Sequence, residues 1–119
     1  MSAGKPQVHR VTGAIHCNMA VNPLSVEAQV QGSVVMGLGM FLEGAEITLI
    51  DGHVQQRNFD TYRVPRITDT PEVKVYIVPS MDAPTGAGEP GLPPIAPAVA
   101  NAMSTLTGQP VRALPLREA

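Results

Sequence analysis

Residues 25–42 read SVEAQVQGSVVMGLGMFL, and this stretch decides the fold of the chain. Its large apolar side chains recur every three or four residues, which places them on one face of an α-helix. They are Val30, Val34, Leu38 and Phe41. Asn22-Pro23 precedes the stretch as an N-cap followed by a proline at the first helical position, although Ser25 could cap instead. The sequence therefore predicts one amphipathic helix from Ser25 to about Leu42.

Three glycines, Gly32, Gly37 and Gly39, lie inside this predicted helix. Each costs up to about 1 kcal/mol relative to alanine in a helix interior. We therefore expect something to pack very close to the helix, either another helix or a cofactor.

Strand patterns flank the helix on both sides. A first strand is predicted at Val8–Ile15, and Glu72–Val78 alternates apolar and polar residues as a half-buried strand does. Between them, Glu46–Ile50 and Val54–Arg57 predict a short hairpin, because Asp51-Gly52 is a tight-turn dipeptide.

The last apolar stripe of the chain predicts a second helix, which Gly108 ends. Its members are Ile95, Val99, Ala102 or Met103, and Leu106. Three prolines confine the regular part of this helix to its later turns: Pro93, Pro94 and Pro97. Together these elements predict an α+β fold in which two helices pack on a small mixed sheet.

The composition is that of an ordinary globular segment. Of the 119 residues, 44% are hydrophobic and 15% are charged, and the net charge is −2. These values exclude a disordered tail, and 3% aromatic residues with no Trp offer no nucleic-acid-binding surface. No apolar run approaches the roughly 18 residues of a spanning helix, and no signal peptide is visible. The length predicts a single domain or partial domain over residues 1–119, and the single cysteine, Cys17, excludes an internal disulfide.

The stretch Thr85–Gly91, TGAGEPG, holds a carboxylate in a glycine-rich bend that we call the acid loop. Its glycines lack a Cβ, so the backbone can take positive φ and approach a ligand closely. Pro90 biases Glu89 away from helical geometry. A helix is predicted just beyond, so backbone N–H groups there could face an anion. Taken alone, such a pattern marks ordinary turns more often than catalytic sites.

Several ordered motifs between Val21 and Thr107 make the chain resemble a known family. They are Val21-Asn22-Pro23, Gln29-Val30-Gln31-Gly32, Met36-Gly37-Leu38-Gly39, Asn58-Phe59-Asp60-Thr61-Tyr62-Arg63-Val64, Pro71-Glu72-Val73, Ile77-Val78-Pro79-Ser80, and Gly86-Ala87-Gly88-Glu89-Pro90-Gly91 followed by Pro93-Pro94-Ile95-Ala96-Pro97-Ala98. Over about three quarters of its length, the chain resembles the C-terminal end of the molybdopterin-binding subunit of the xanthine dehydrogenase and aldehyde oxidase family. Within that family it is most similar to the branch that contains the isoquinoline 1-oxidoreductase β-subunit.

The resemblance implies an oxidoreductase that hydroxylates an aldehyde or an N-heteroaromatic carbon with oxygen from water. It also implies a molybdenum-pyranopterin cofactor, as molybdopterin or its cytosine dinucleotide form, whose metal is held by the pterin and not by protein side chains. Glu89 matches the family's catalytic base, and Gly86, Ala87 and Gly88 match backbone contacts to the cofactor. Gln29 matches a cofactor-binding glutamine, although a solvent-facing position on the helix explains it equally well. Gln31 lies roughly opposite Gln29 on a helix, so the two are not expected to reach one ligand.

Two further groups of polar residues carry weaker signals. Asn58, Asp60, Tyr62 and Arg63 could line a substrate channel, but a loop held by its own hydrogen bonds explains them more simply. The three histidines lack metal-ligand spacing, so no protein metal site is predicted. They are His9, His16 and His53.

The chain departs from the family in two respects. Where relatives carry Asp-Cys-Gly before Val-Asn-Pro, it reads His16-Cys17-Asn18, which leaves the packing at a strand end open. The family's earlier cofactor-binding loops have no counterpart in these 119 residues.

The missing loops determine the partners we expect. The isolated chain is expected to hold no cofactor, which it would share with the remaining part of the molybdopterin-binding subunit. An iron-sulfur subunit and a small aldehyde or heteroaromatic substrate are the further expected partners. The alternative is a cofactor-free fragment or a small binding or assembly module derived from that subunit.

Overall fold

Helix α1 (Pro23–Phe41) is the central element of the fold, and its start confirms the predicted cap. The computed structural model describes residues 6–41 and 46–115, so Leu42, the predicted last helical residue, lies outside them. The Oδ1 atom of Asn22 accepts a hydrogen bond from the Ser25 N–H at 3.3 Å. Asn22 rather than Ser25 therefore caps the helix, with Pro23 as its first residue.

The remaining elements confirm the predicted α+β class. In chain order they are β1 (Arg10–Ile15), which precedes α1, then β2 (Leu49–Ile50), β3 (His53–Val54), a 3₁₀ turn (Ile67–Asp69), β4 (Glu72–Ile77) and α2 (Ile95–Thr107). Strand β1 begins two residues later than predicted, and β2 and β3 are shorter than predicted. No sequence pattern signalled the 3₁₀ turn.

The described strands form two separate two-stranded sheets, one parallel and one antiparallel. Strands β1 and β4 run parallel, with Arg10 opposite Glu72 and the register continuing to the strand ends. On the outer face, the Arg10 Nε donates to the Glu72 carboxylate at 2.8 Å. This hydrogen bond, followed by the positive charge of Arg10, holds the pKa of Glu72 below its ordinary value. Strands β2 and β3 pair across Asp51-Gly52, whose φ angles of 49° and 77° are those of the predicted tight turn.

Two apolar clusters join the helices to the parallel sheet. In the first, α1 packs against α2, and its buried side chains are Val34, Leu38, Phe41, Ile95 and Val99. In the second, the N-terminal half of α1 meets the end of β1, and its buried side chains are Ile15, Cys17 and Val30. The predicted stripe of α1 is confirmed because all four of its members are buried. Phe41 is fully enclosed, at 0% exposure.

Helix α2 follows its predicted stripe except in its last turn. Met103, and not Ala102, packs against the first cluster. Leu106 was expected in the stripe, but it is 76% exposed because it lies beyond the part of α2 that contacts the cluster. Gly108 has a φ of 70° and ends the helix as predicted. Neither helix in the described part of the chain is long and apolar enough to cross a membrane.

The three glycines of α1 have three different surroundings. A Cβ atom built on Gly37 would lie 2.8 Å from the Cβ of Ile95, so this glycine lets α2 approach α1 closely. A Cβ on Gly39 would lie 2.5 Å from the ring of Pro65, in the loop before the 3₁₀ turn. Nothing lies within 4 Å of the corresponding position on Gly32. The expected close packing is therefore confirmed at Gly37 and Gly39, and Gly32 faces open space.

Candidate functional site

The acid loop starts from a segment that is tied to the end of β1. The Val78 N–H donates to the Ile15 carbonyl at 2.8 Å, which extends the pairing of β4 by one residue. The Met19 N–H then donates to the Asp82 carbonyl at 3.1 Å. The Thr85 N–H donates to the Cys17 carbonyl at 3.2 Å. The chain that leads into the acid loop therefore runs beside residues 15–19.

The acid loop itself lies on the N-terminal half of α1. Ala87 packs against the second cluster, which contains Cys17 and Val30. A Cβ on Gly88 would lie 3.8 Å from the amide nitrogen of Gln29, and one on Gly91 would lie 3.0 Å from the Cβ of Ser33. The fold thus brings together two predicted cofactor-binding residues, Gln29 and Gly88, that are far apart in sequence.

Glu89 lies between these contacts with its side chain exposed to solvent. Its backbone carbonyl accepts a hydrogen bond from the Leu92 N–H at 3.0 Å. Among the described residues, neither the Glu89 carboxylate nor the Gln29 amide makes a side-chain hydrogen bond, so both are available to a ligand. Gly86 is exposed, and nothing lies within 4 Å of the position that a Cβ would take there.

Two backbone N–H groups near the start of α2 already have hydrogen-bond partners. The Ile95 N–H already donates to the Leu92 carbonyl, and the Ala98 N–H donates to the Pro94 carbonyl. Pro97 has no N–H to offer. Anion binding by backbone N–H groups at this helix start stays a prediction.

An open groove of about 420 Å³ lies on another side of α1. Its lining comprises Ala28, Gln31, Gly32, Val35, Thr70, Pro71 and Val73. None of the predicted site residues lines it, and Gln31 does. As expected, Gln29 and Gln31 therefore face different surroundings.

The loop around Asn58–Arg63 is held largely by its own hydrogen bonds. The Thr61 hydroxyl accepts from the Arg57 N–H at 3.0 Å and donates to the Asn58 carbonyl at 3.1 Å. The Asn58 side chain accepts from the Phe59 N–H at 2.8 Å. These bonds favour the simpler of the two predicted interpretations over a substrate channel.

Asn18 is the residue of this region that sequence analysis did not single out for function. Its φ angle is 58°, a conformation that few residues other than glycine adopt. Its side-chain amide donates to the Ala83 carbonyl at 3.0 Å. The available signal was the residue type itself, since asparagine tolerates this conformation better than most residues.

Metal ligation by protein side chains finds no support in the described residues. No group of three or more His, Cys, Asp or Glu side chains within that part of the chain could hold a metal ion. Cys17 is a free thiol buried beneath the acid loop. The site therefore consists of an exposed carboxylate, an exposed amide and a glycine-rich backbone.

Comparison with known proteins shows the family to which this chain belongs. The family model of the molybdopterin cofactor-binding domain matches residues 1–71. The chain therefore belongs to the molybdopterin cofactor-binding domain family, and the predicted resemblance is confirmed.

Two relatives match nearly the whole chain. The membrane-bound aldehyde dehydrogenase (pyrroloquinoline-quinone) of Gluconacetobacter polyoxogenes is 36% identical over 119 residues, which cover 99% of this chain and 15% of that protein. The isoquinoline 1-oxidoreductase subunit beta of Brevundimonas diminuta is 36% identical over 112 residues, which cover 94% of this chain and 14% of that protein. The chain thus spans about one seventh of the length of these relatives.

A solved structure shows the same fold. Quinoline 2-oxidoreductase from Pseudomonas putida 86 superposes with a TM-score of 0.76 at 22% identity. The match covers 92% of this chain and 15% of that one. The two helices and the parallel strand pair are therefore a recurrent part of a much larger chain.

Proposed function

We propose that this chain is the base-bearing portion of a molybdenum hydroxylase that oxidises aldehydes or N-heteroaromatic carbons with oxygen from water. One observation carries the proposal: the acid loop rests on α1 so that Gly88 meets Gln29 and Glu89 stays exposed beside them. The proposal includes completion of the site by one or more partner chains.

The residues present fit one edge of a molybdenum-pyranopterin cofactor. Gln29 can donate and accept hydrogen bonds through its amide, which suits the mixed edge of a pterin. Gly86 and Gly88 leave their backbone open to close approach by a flat ligand. The Ala87 side chain points into the second cluster, so its contribution would be its backbone. When bound, the cofactor supplies the two-electron oxidation of the substrate carbon.

Glu89 is proposed to act as the general base of this reaction. A carboxylate can accept a proton when it lies within hydrogen-bond reach of the group that loses it. Glu89 has no competing side-chain partner among the described residues, so it is free to take that role. Glu89 is exposed on this chain, so enclosure of the site would have to come from a partner.

Exposed apolar side chains support completion by a partner. Met36 and Met40 lie on the outer face of α1 and are 60% and 53% exposed. From Val34 to Phe41, α1 has no polar side chain, and a helical segment that is apolar on all sides is normally buried on all sides. Phe59 and Ile67 are also exposed, at 80% and 87%. We infer that the remaining part of a molybdopterin-binding subunit covers this surface, and that an iron-sulfur subunit completes the enzyme.

We base the proposed cofactor on the family and not on the name of one relative. The aldehyde dehydrogenase relative is named for pyrroloquinoline-quinone, whereas the matching family is that of a molybdopterin cofactor-binding domain. We propose molybdopterin or its cytosine dinucleotide form for this chain. Elemental and pterin analysis distinguishes a molybdopterin cofactor from pyrroloquinoline-quinone, because the quinone contains neither molybdenum nor pterin.

The decisive experiment compares the 119-residue chain alone with the same chain co-purified with a molybdopterin-binding partner. We expect no molybdenum on the isolated chain and stoichiometric molybdenum in the complex, because one loop and one amide contact only an edge of the cofactor. The molybdenum and pterin contents of both samples are then measured. Stoichiometric molybdenum on the isolated chain would overturn the need for a partner. A stable complex without molybdenum would favour the alternative, a cofactor-free binding or assembly module.

Replacing both exposed methionines of α1 is expected to weaken partner binding. Each buried methionine side chain contributes about 1.5–3 kcal/mol, so Met36→Gln with Met40→Gln should raise the dissociation constant at least about tenfold. Titration calorimetry with the partner measures this change. Leu106→Gln is the matched control, since Leu106 is exposed on α2. Equal affinities for the double variant and the control would show that the partner does not cover this face.

A further inference from the structure

The position of Glu89 depends on the backbone around it, because its carboxylate has no hydrogen-bond partner among the described residues. On either side of Glu89, the loop is held by the contacts of Gly88 and Gly91 with α1. Upstream, it is held where residues 82–85 meet residues 17–19. The upstream attachment therefore controls where the loop begins its path to Glu89.

Three hydrogen bonds make the upstream attachment, and one of them comes from a side chain. Two join backbone groups: Met19 N–H to Asp82, and Thr85 N–H to Cys17. The third is the bond from the Asn18 amide to the Ala83 carbonyl at 3.0 Å. Because Ala83 lies between Asp82 and Thr85, the Asn18 side chain adds a hydrogen bond between the two backbone bonds.

Asn18 also sets the direction of its own segment. Its φ of 58° turns the chain between Cys17 and Met19, so that the backbone groups of both residues can bond residues 82–85. Glycine would allow this turn equally well but would provide no side-chain amide to donate a hydrogen bond. Asn18 therefore makes a turn that glycine could also make and adds a hydrogen bond to the segment that leads into the acid loop.

We infer that Asn18 is a positioning residue for Glu89. It acts through Ala83 and Thr85 on the backbone of the acid loop and does not touch the reacting atoms. The ordering of the loop is independent of what the enzyme does, whereas the catalytic consequence rests on the proposed function.

Asn18→Asp and Asn18→Gly test the inference in the full chain. The aspartate has the same shape, but it places a carboxylate oxygen against the Ala83 carbonyl and cannot donate when ionised. The glycine keeps the turn and removes the donor alone. We expect faster hydrogen exchange at the Thr85 amide, by about fivefold for Asn18→Gly and more for Asn18→Asp, since one hydrogen bond is worth about that factor. Asn101→Asp, an equal chemical change at an exposed position of α2, should leave this amide unchanged.

The same variants in the completed enzyme test the link to Glu89. Small displacements of a catalytic group cost up to about a hundredfold in rate. We expect Asn18→Asp to lower kcat about tenfold and to leave KM and molybdenum content unchanged. In Asn18→Gly, kcat should lie between that of Asn18→Asp and that of the unsubstituted enzyme. Unchanged Thr85 exchange in both variants would overturn the inference, and so would faster exchange with normal kcat. Failure of Glu89 as the base would appear separately, as normal turnover in Glu89→Gln, and would leave the exchange result intact.

Discussion

Glu89→Gln is expected to lower turnover of the completed enzyme by about 10²–10⁴-fold while molybdenum stays bound. Glutamine keeps the shape of the side chain and its capacity to hydrogen-bond, but it cannot accept the proton as a carboxylate does. The Glu89 side chain makes no hydrogen bond within the described residues, so the change should leave the fold intact. Steady-state kinetics normalised to molybdenum content measures the effect.

Gln29→Ala distinguishes loss of a cofactor contact from loss of the catalytic base. Gln29 lies beside Gly88 but carries no base, so its loss should weaken cofactor retention and lower turnover less than Glu89→Gln does. Molybdenum content after dialysis measures retention. Near-normal turnover of Glu89→Gln at full molybdenum occupancy would reduce Glu89 to an ordinary turn residue. The family membership would stand, and the proposed mechanism would not.

Gly37→Ala is expected to destabilise the isolated chain by about 1–3 kcal/mol. The added Cβ would lie 2.8 Å from the Cβ of Ile95, an atom that cannot rotate away because it is attached directly to the α2 backbone. The helices must therefore move apart, which loosens the first apolar cluster. Urea unfolding measures the loss as a lower midpoint at an unchanged slope.

Gly32→Ala is the matched control in the same helix. Nothing lies within 4 Å of its new Cβ, and alanine is the better helix former. We expect this variant to be about 0.5–1 kcal/mol more stable than the natural sequence. Equal stabilities of Gly37→Ala and Gly32→Ala would contradict the observed packing of α1 on α2.

For the acid loop, the sequence predicted the local shape of the backbone but not its contacts with α1. Its glycines and Pro90 predicted a bend that presents Glu89, and the bend is observed. The roles proposed for Glu89 and Gln29 came from the family resemblance and not from any local pattern. The distance of Gln29 from Gly88 could not be predicted, because no local pattern relates residues on α1 to a loop more than fifty positions later.

The sequence by itself determined the features that depend on a few neighbouring residues. Asp51-Gly52 turns the hairpin and Gly108 ends α2, because each provides the required conformation within its own segment. The cap of α1 was limited to Asn22 or Ser25, and the structure shows Asn22. The buried stripe of α1 followed from helical spacing alone.

Only the tertiary structure decided between residues whose local patterns are alike. Gly32 and Gly37 are both helix-interior glycines, yet one faces open space and the other faces Ile95. Asn18 shows no local signal that it would bond Ala83, 65 positions later. The physical reason is that short-range backbone preferences repeat wherever the same residues occur, whereas close packing and long-range hydrogen bonds exist only where the folded chain brings two segments together.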